Sequence, residues 1–260
     1  GEVVAKVQLP IEPYRAPQPG WAEQDAELYW QMLVQACQTL WATSGIPPAR
    51  VAAMAVTTLR AAVICLDEAG RPLRPAIVWL DQRRADALAP LPLGWRVLLA
   101  AGGVTDLVAS VRREAEANWL AQHEPQVWRA TRKFVFVSGY LAFRLCGDYV
   151  DATASQVGYV PFDYRRQQWA APRDWRWRAF PIRPDQLPRL VAAGTRMGDL
   201  SQAAAQCLGL PAGLPLIAAG ADKACEVLGC GLRPGREGAL SLGTSATINT
   251  VQLRYLAVQS

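Results

Sequence analysis

Short apolar runs, each closed by a turn and separated by segments of helical period, recur along this chain, and that alternation leaves few folds open. Residues 1–9 alternate as a strand, with Val3, Ala5, Val7 and Leu9 on one face. The stretch PYRAPQPGW is a connection rich in Pro and Gly. Over residues 25–44 the apolar positions Leu28, Met32, Leu33, Ala36, Cys37, Leu40 and Trp41 recur at threes and fours, which predicts an amphipathic helix. Gly45, Pro47 and Pro48 stop it. Residues 51–57 read as a buried strand, residues 62–66 as another, and DEAGR turns the chain into PAIVWLDQR.

The middle reads as mostly helical, with helices over residues 114–122 and 133–145, the second ended by Gly147 and Asp148. Residues 151–172 are irregular, with alternating aromatics. A short helix over 200–208 precedes the turn PAG, then come a strand over 214–219, a helix over 222–228, and a strand pair, 238–242 and 246–251, across GTS. Strands alternating with helices and then pairing late predict an α/β domain with a mixed β-sheet flanked by helices.

Bulk properties narrow the chemistry. A chain of 260 residues, 51% hydrophobic and 19% charged, can bury a sizeable core, and no apolar run reaches the roughly 18 to 20 residues of a membrane span. No signal-peptide pattern opens the chain, so a cytoplasmic protein with no membrane partner is expected. The net charge of +5 is carried mostly by dispersed Arg, and no nucleic-acid partner is expected. The segment DWRWRAFPIRP could serve as a stacking platform for a single strand. It also reads as a Pro-broken connection whose Trp residues plug the core edge. Six cysteines form no Cys-x-x-Cys pair and His123 is the single histidine, so no zinc site is expected. The cysteines read as small buried hydrophobes, and acid or base chemistry falls to carboxylates.

One carboxylate stands out. In PLIAAGADKA, Asp222 follows an apolar strand and opens a helix, the place where open α/β sheets bind ligands. Two roles are open to it: acceptor of a proton from a substrate hydroxyl, or helix N-cap, where Asp stabilises by about 1 kcal/mol without catalytic duty. The turn at Gly243, Thr244 and Ser245 likewise reads as a phosphate-binding nest or as an ordinary hairpin. It is not a Walker loop, since no GxxxxGK[ST] occurs.

Taken with PQPGWAEQDAELYW, AVTTLRAAVICLDEAGRPLRPAIVWLDQR, EANWLAQHEPQVW and SGYLAFRLCGDYVDATAS, the stretches GADKACEVLG and SLGTSATINT resemble the N-terminal, sugar-binding domain of the FGGY family of carbohydrate kinases. The resemblance implies a ribonuclease H-like, actin-like ATPase fold and ATP-dependent phosphorylation of a sugar or polyol hydroxyl, with ATP and Mg2+ as cofactors. Asp222 matches the family's general base, and Gly243, Thr244 and Ser245 its second phosphate turn. Arg60 matches an arginine that binds the polyol in glycerol kinase-like members; its neighbour there is often Glu, and Ala61 argues against a glycerol pocket. Trp79, Asp81 and Arg83 match a WxDxR segment that lines or braces the sugar cleft.

Family members begin with a glycine-rich hairpin, roughly Asp-x-Gly-Thr-x-Ser, that supplies the first phosphate loop and a magnesium-holding acid, and this sequence starts after it. The expectation is therefore a sugar-binding domain over residues 1–250 lacking its first β-hairpin. Residues 251–260 would begin the linker to a C-terminal ATP-binding domain. Such a lobe would be inactive and marginally stable alone, with open strand edges that invite association, a homodimer included. The competing expectation is a carbohydrate-binding or interaction module without turnover.

Overall fold

The structure is a computed structural model that describes residues 1–86, 88–242 and 246–256. In chain order its elements are β1 (Glu23–Gln24), α1 (Ala26–Ser44), β2 (Met54–Thr58), β3 (Val63–Leu66), β4 (Ala76–Ile77), α2 (Leu93–Ala101), α3 (Thr105–Glu114), α4 (Glu116–His123), α5 (Pro125–Ala130), β5 (Lys133–Phe136) and α6 (Val137–Cys146). There follow β6 (Val150–Ala152), β7 (Phe162–Asp163), β8 (Gln168–Trp169), α7 (Arg176–Ala179), β9 (Arg189–Val191), β10 (Arg196–Asp199), α8 (Gln202–Leu208), β11 (Pro215–Ala221), α9 (Asp222–Gly229), β12 (Gly238–Leu242) and β13 (Ala246–Thr250).

Two sheets organise the chain. One is antiparallel in the order β1-β4-β3-β5; the other runs β10-β11-β2, with β10 antiparallel and β2 parallel to β11. β3 is buried on both faces because its side chains alternate between two cores. Ile64 and Leu66 join Trp30, Tyr140, Leu145, Leu208 and Leu216 between the two sheets. Val63 and Cys65 face Ile77, Trp119, Phe134, Phe136 and Phe162 on the other side. α1 forms where the apolar period predicts it: the Asp25 carboxylate accepts the Glu27 N–H at 3.0 Å, and Gly45 at φ 66° ends it in the left-handed conformation that suits Gly.

Several expectations are corrected. Residues 1–9 form no strand, since no strand of the described chain lies beside them to complete a ladder, and Val3 and Val4 are exposed. The strand at β2 is half-exposed rather than buried, because among the described residues it has a partner on one edge only. Residues 133–136 are strand rather than helix: Phe134, Val135 and Phe136 suit a pleated surface and pair with β3 in register Val63↔Phe136 to Leu66↔Lys133. α2 and α3, absent from the sequence reading, pack Leu99 and Val108 with Leu91 in a small separate cluster. The cysteines are not uniformly buried, as Cys207 and Cys230 are exposed. Trp175 and Trp177 pack partly buried against the second core, and the Trp177 indole N–H donates to the Ala170 carbonyl at 2.9 Å, which is the plug arrangement.

Candidate active site

Parallel neighbours β2 and β11 end side by side, and the residues that follow each strand meet. Thr57 on β2 donates its hydroxyl to the Gly220 carbonyl on β11 at 2.8 Å. A side chain at Gly220 would meet the Ala154 Cβ at 3.2 Å, so glycine lets the strand end approach the turn after β6 without either giving way. Asp222 is the first residue of α9 and not its cap. Ala221 holds the extended cap conformation, and Asp222 Oδ1 accepts only the next N–H, from Lys223, at 2.7 Å. The carboxylate is exposed.

Leu59, Arg60 and Ala61 follow β2. They form a cavity of about 400 Å³ with Trp79, Val157, Asp222, Lys223 and Thr247. Ala61, Trp79 and Val157 also line a larger cavity of about 750 Å³, walled by Gln82, Arg84, Glu114, Glu116, Tyr159 and Tyr164 among others. The two form one cleft. Ala61 sits at its waist at φ 50°, a costly conformation for a residue with a Cβ, and its N–H donates to the Val157 carbonyl at 3.1 Å. Trp79 is 48% exposed and offers an aromatic face to both cavities. Among the described residues the Arg60 guanidinium makes no hydrogen bond or ion pair with another side chain.

Asp81 and Arg83 stand behind that surface. Asp81 Oδ2 accepts the Ala22 N–H at 2.6 Å, and Oδ1 accepts the Arg83 backbone N–H at 2.9 Å. The Arg83 guanidinium grips both oxygens of Asp81 at 2.7 Å and reaches Glu23 Oε1 at 2.9 Å. Glu23 also pairs with Arg74, which in turn bonds Glu124 at 2.9 Å. Arg83 lies 3.9 Å from the Trp21 ring and 4.6 Å from the Trp119 ring, in cation–π range. Both Asp81 oxygens are thus engaged within the protein, two residues from Trp79.

Glu114 and Glu116, on the far wall of the larger cavity, were not singled out by sequence reasoning. Glu114 accepts the hydroxyls of Tyr159 and Ser110 and lies 3.4 Å from Arg84. Glu116 is half-buried in the cleft wall and its carboxyl is pushed up to about 7. Burial is the main cause, Asp81 and Glu114 add to it, and Arg83 opposes it. Lys223 was also missed: its ammonium donates to Glu226 at 2.7 Å and to the Ser241 hydroxyl at 2.6 Å, tying α9 to β12. Gly243, Thr244 and Ser245, expected to face phosphates, lie outside the described residues.

Among the described residues no three His, Cys, Asp or Glu side chains converge, so no closed metal cage is formed. Mg2+ needs none, being held commonly by one or two carboxylates together with phosphate oxygens and water. Among the described residues Asp222 is the one carboxylate lining the smaller cavity. No helix among the described residues is long and apolar enough to cross a membrane.

The layered sheets and the cleft at the ends of parallel strands define the class: a ribonuclease H-like, actin-like ATPase lobe of the sugar-kinase type. Residues 1–229 match the FGGY family of carbohydrate kinases, N-terminal domain, and the chain belongs to that family. It is similar to the xylulose kinase of Escherichia coli K12, 29% identical over 257 residues, which covers 99% of this chain and 51% of the relative. The glycerol kinase of Ectopseudomonas mendocina is 28% identical over 236 residues, covering 88% and 46%. The crystal structure of xylulose kinase from Rhodospirillum rubrum superposes with a TM-score of 0.77 at 27% identity, over 95% of this chain and 51% of that one. The chain thus spans about half the length of the curated relatives it matches.

Proposed function

We propose that this lobe binds the acceptor sugar or polyol of an ATP-dependent kinase and that Asp222 is the general base for the attacking hydroxyl. The observation that carries the reading is the meeting of Arg60 and Asp222, one after each of two paired parallel strands, on a single cleft. Arg60 donates to substrate hydroxyls, and Trp79 offers a face on which the C–H side of a sugar ring or chain packs. Phosphoryl transfer passes through a loose transition state, so positioning and electrostatics dominate, and a base adds about 10² to 10⁴ in rate. ATP with Mg2+ supplies the phosphoryl group and neutralises its charge. Asp222 removes the proton from the nucleophile, and Gly243, Thr244 and Ser245 are proposed as the phosphate turn.

Calorimetric titration of the chain with D-xylulose, L-fuculose, D-gluconate and glycerol tests sugar binding. Mass spectrometry of the same sugars with ATP and Mg2+ tests transfer. Asp222→Asn should leave sugar affinity within about threefold while transfer falls by about 10² or more. Retained transfer in that variant, or no binding by any of the four, overturns the proposal. Binding by the wild type with no transfer fits a kinase lobe inactive alone and a carbohydrate-binding module without turnover alike.

A further inference from the structure

The two ends of the cleft differ in kind: Asp222 and Arg60 line the smaller cavity, while Glu114 and Glu116 line only the larger. Charge around the larger cavity is nearly all answered from within. Arg83 is matched by Asp81 and Glu23, and Arg84 by Glu114, whose other oxygen takes the Tyr159 hydroxyl. Glu116 is the exception. Among the described residues no other side chain donates to it, and the protein donor it has is its own backbone N–H. Arg83, also on this cavity and only 2% exposed in its side chain, carries a buried Nη1 without a partner. A ligand hydroxyl, able to donate and accept, answers Glu116 in either protonation state; a carboxylate meets a like charge in a confined, partly desolvated space.

We propose that Glu116 reads the end of the substrate remote from the phosphoryl acceptor and selects a neutral, hydroxyl-bearing end over a carboxylate. The inference rests on the reading of the cleft as a sugar site. It also makes the selection depend on pH. The groups facing Glu116 are Asp81, Arg83 and Arg84 from the segment after β4, Glu114 at the end of α3, and Tyr159 from the loop after β6. With burial they place its titration near 7. Below that pH the protonated carboxyl donates to an anionic end, and above it the ionised form repels one.

The test is calorimetric titration of the whole chain at pH 5.5 and 8.5 with two pairs of probes, D-xylulose with D-xylonate and L-fuculose with L-fuconate. The ratio of affinities, neutral over anionic, should rise by about tenfold from the lower to the higher pH. That corresponds to a displacement of the Glu116 titration by about one unit on binding the anion. Glu116→Gln should flatten the ratio while binding the neutral sugar. If that variant fails to fold, the wild-type ratio alone decides. A wild-type ratio that does not change with pH, or one that changes equally in Glu116→Gln, sinks this inference and leaves the sugar site standing. No binding by either neutral sugar overturns this inference, and the sugar site falls with it where glycerol and D-gluconate also fail to bind.

Discussion

Replacing Arg83 with Met removes a guanidinium that is 2% exposed and holds the Asp81 carboxylate through two bonds of 2.7 Å and Glu23 through one of 2.9 Å. Met fills much of the same volume against Trp21, so the cavity term is small and the electrostatic one dominates. Glu23 keeps Arg74 as a partner, but Asp81, whose side chain is 4% exposed, keeps only backbone donors such as the Ala22 N–H. A buried carboxylate stripped of its ion partner costs about 3 to 5 kcal/mol. Arg83→Lys restores the charge without the fork or the stacking, and should cost about 2 kcal/mol. With a urea slope of about 2 kcal/mol/M, Arg83→Met lowers the unfolding midpoint by about 2 M and Arg83→Lys by about 1 M. The Asp81→Ala, Arg83→Met double variant should be less destabilised than the sum of the singles, since neither charge is then left alone. A midpoint shift under about 0.5 M for Arg83→Met, or additivity in the double variant, would refute the view of this pair as mutually dependent buried charges.

Asp151 is 1% exposed and its carboxyl is pushed up from 3.8 to about 6, by burial against the opposing donors Ser138, Gln156 and the Ala152 N–H. The folded state therefore binds this proton more tightly than the unfolded, so the contribution is fully present below pH 3.8 and is lost as pH rises to about 6, on the order of 3 kcal/mol. Asp151→Asn should remove that slope from stability measured by urea unfolding between pH 4 and 7. Gly220→Val drives a side chain into Ala154, separates the ends of β2 and β11, and should weaken sugar binding by calorimetry as well as costing about 1 to 3 kcal/mol. Lys223→Met cuts the tie to Ser241, and amide exchange across β12 should accelerate while that of β3 stays unchanged. Leu240, Leu242 and Ile248 are exposed on the β12–β13 pair, and among the described residues β2 has a partner on one edge only, so light scattering should rise with protein concentration and fall in an Ile248→Lys variant. A monomer that unfolds cooperatively at high temperature would contradict this.

Local signals were legible where local physics decides. The cap at Asp25, the stop at Gly45 and the apolar period between them specify α1 with little help from the rest of the chain. The same holds for Gly147, which ends α6 at φ 78°. Residues 133–136 went the other way. Their apolar run also continues the period of α6, and what makes them a strand is the edge of β3, which lies about seventy positions earlier in the sequence. Residues 1–9 show the converse: an alternating pattern is a strand only when something pairs with it.

The site divides along the same line. Asp222 was legible because it sits at a strand end, where the local sequence states both the strand and its close, whereas Arg60 entered only through the family resemblance. Arg83 was legible as a residue but not as a role, since its partner Glu23 is 60 positions away. Only the folded sheet shows that both Asp81 oxygens are engaged by Arg83 and the Ala22 N–H. Glu116 carried no signal of its own: a Glu at the start of a helix is ordinary, and the side chain becomes unusual only when α3, the segment after β4 and the loop after β6 close around it. A group whose chemistry is set by burial can be found only after folding, whereas one set by backbone geometry can be read beforehand. That contrast is why the end of the cleft holding the proposed base emerged from the sequence and the end proposed to choose the substrate emerged from the structure.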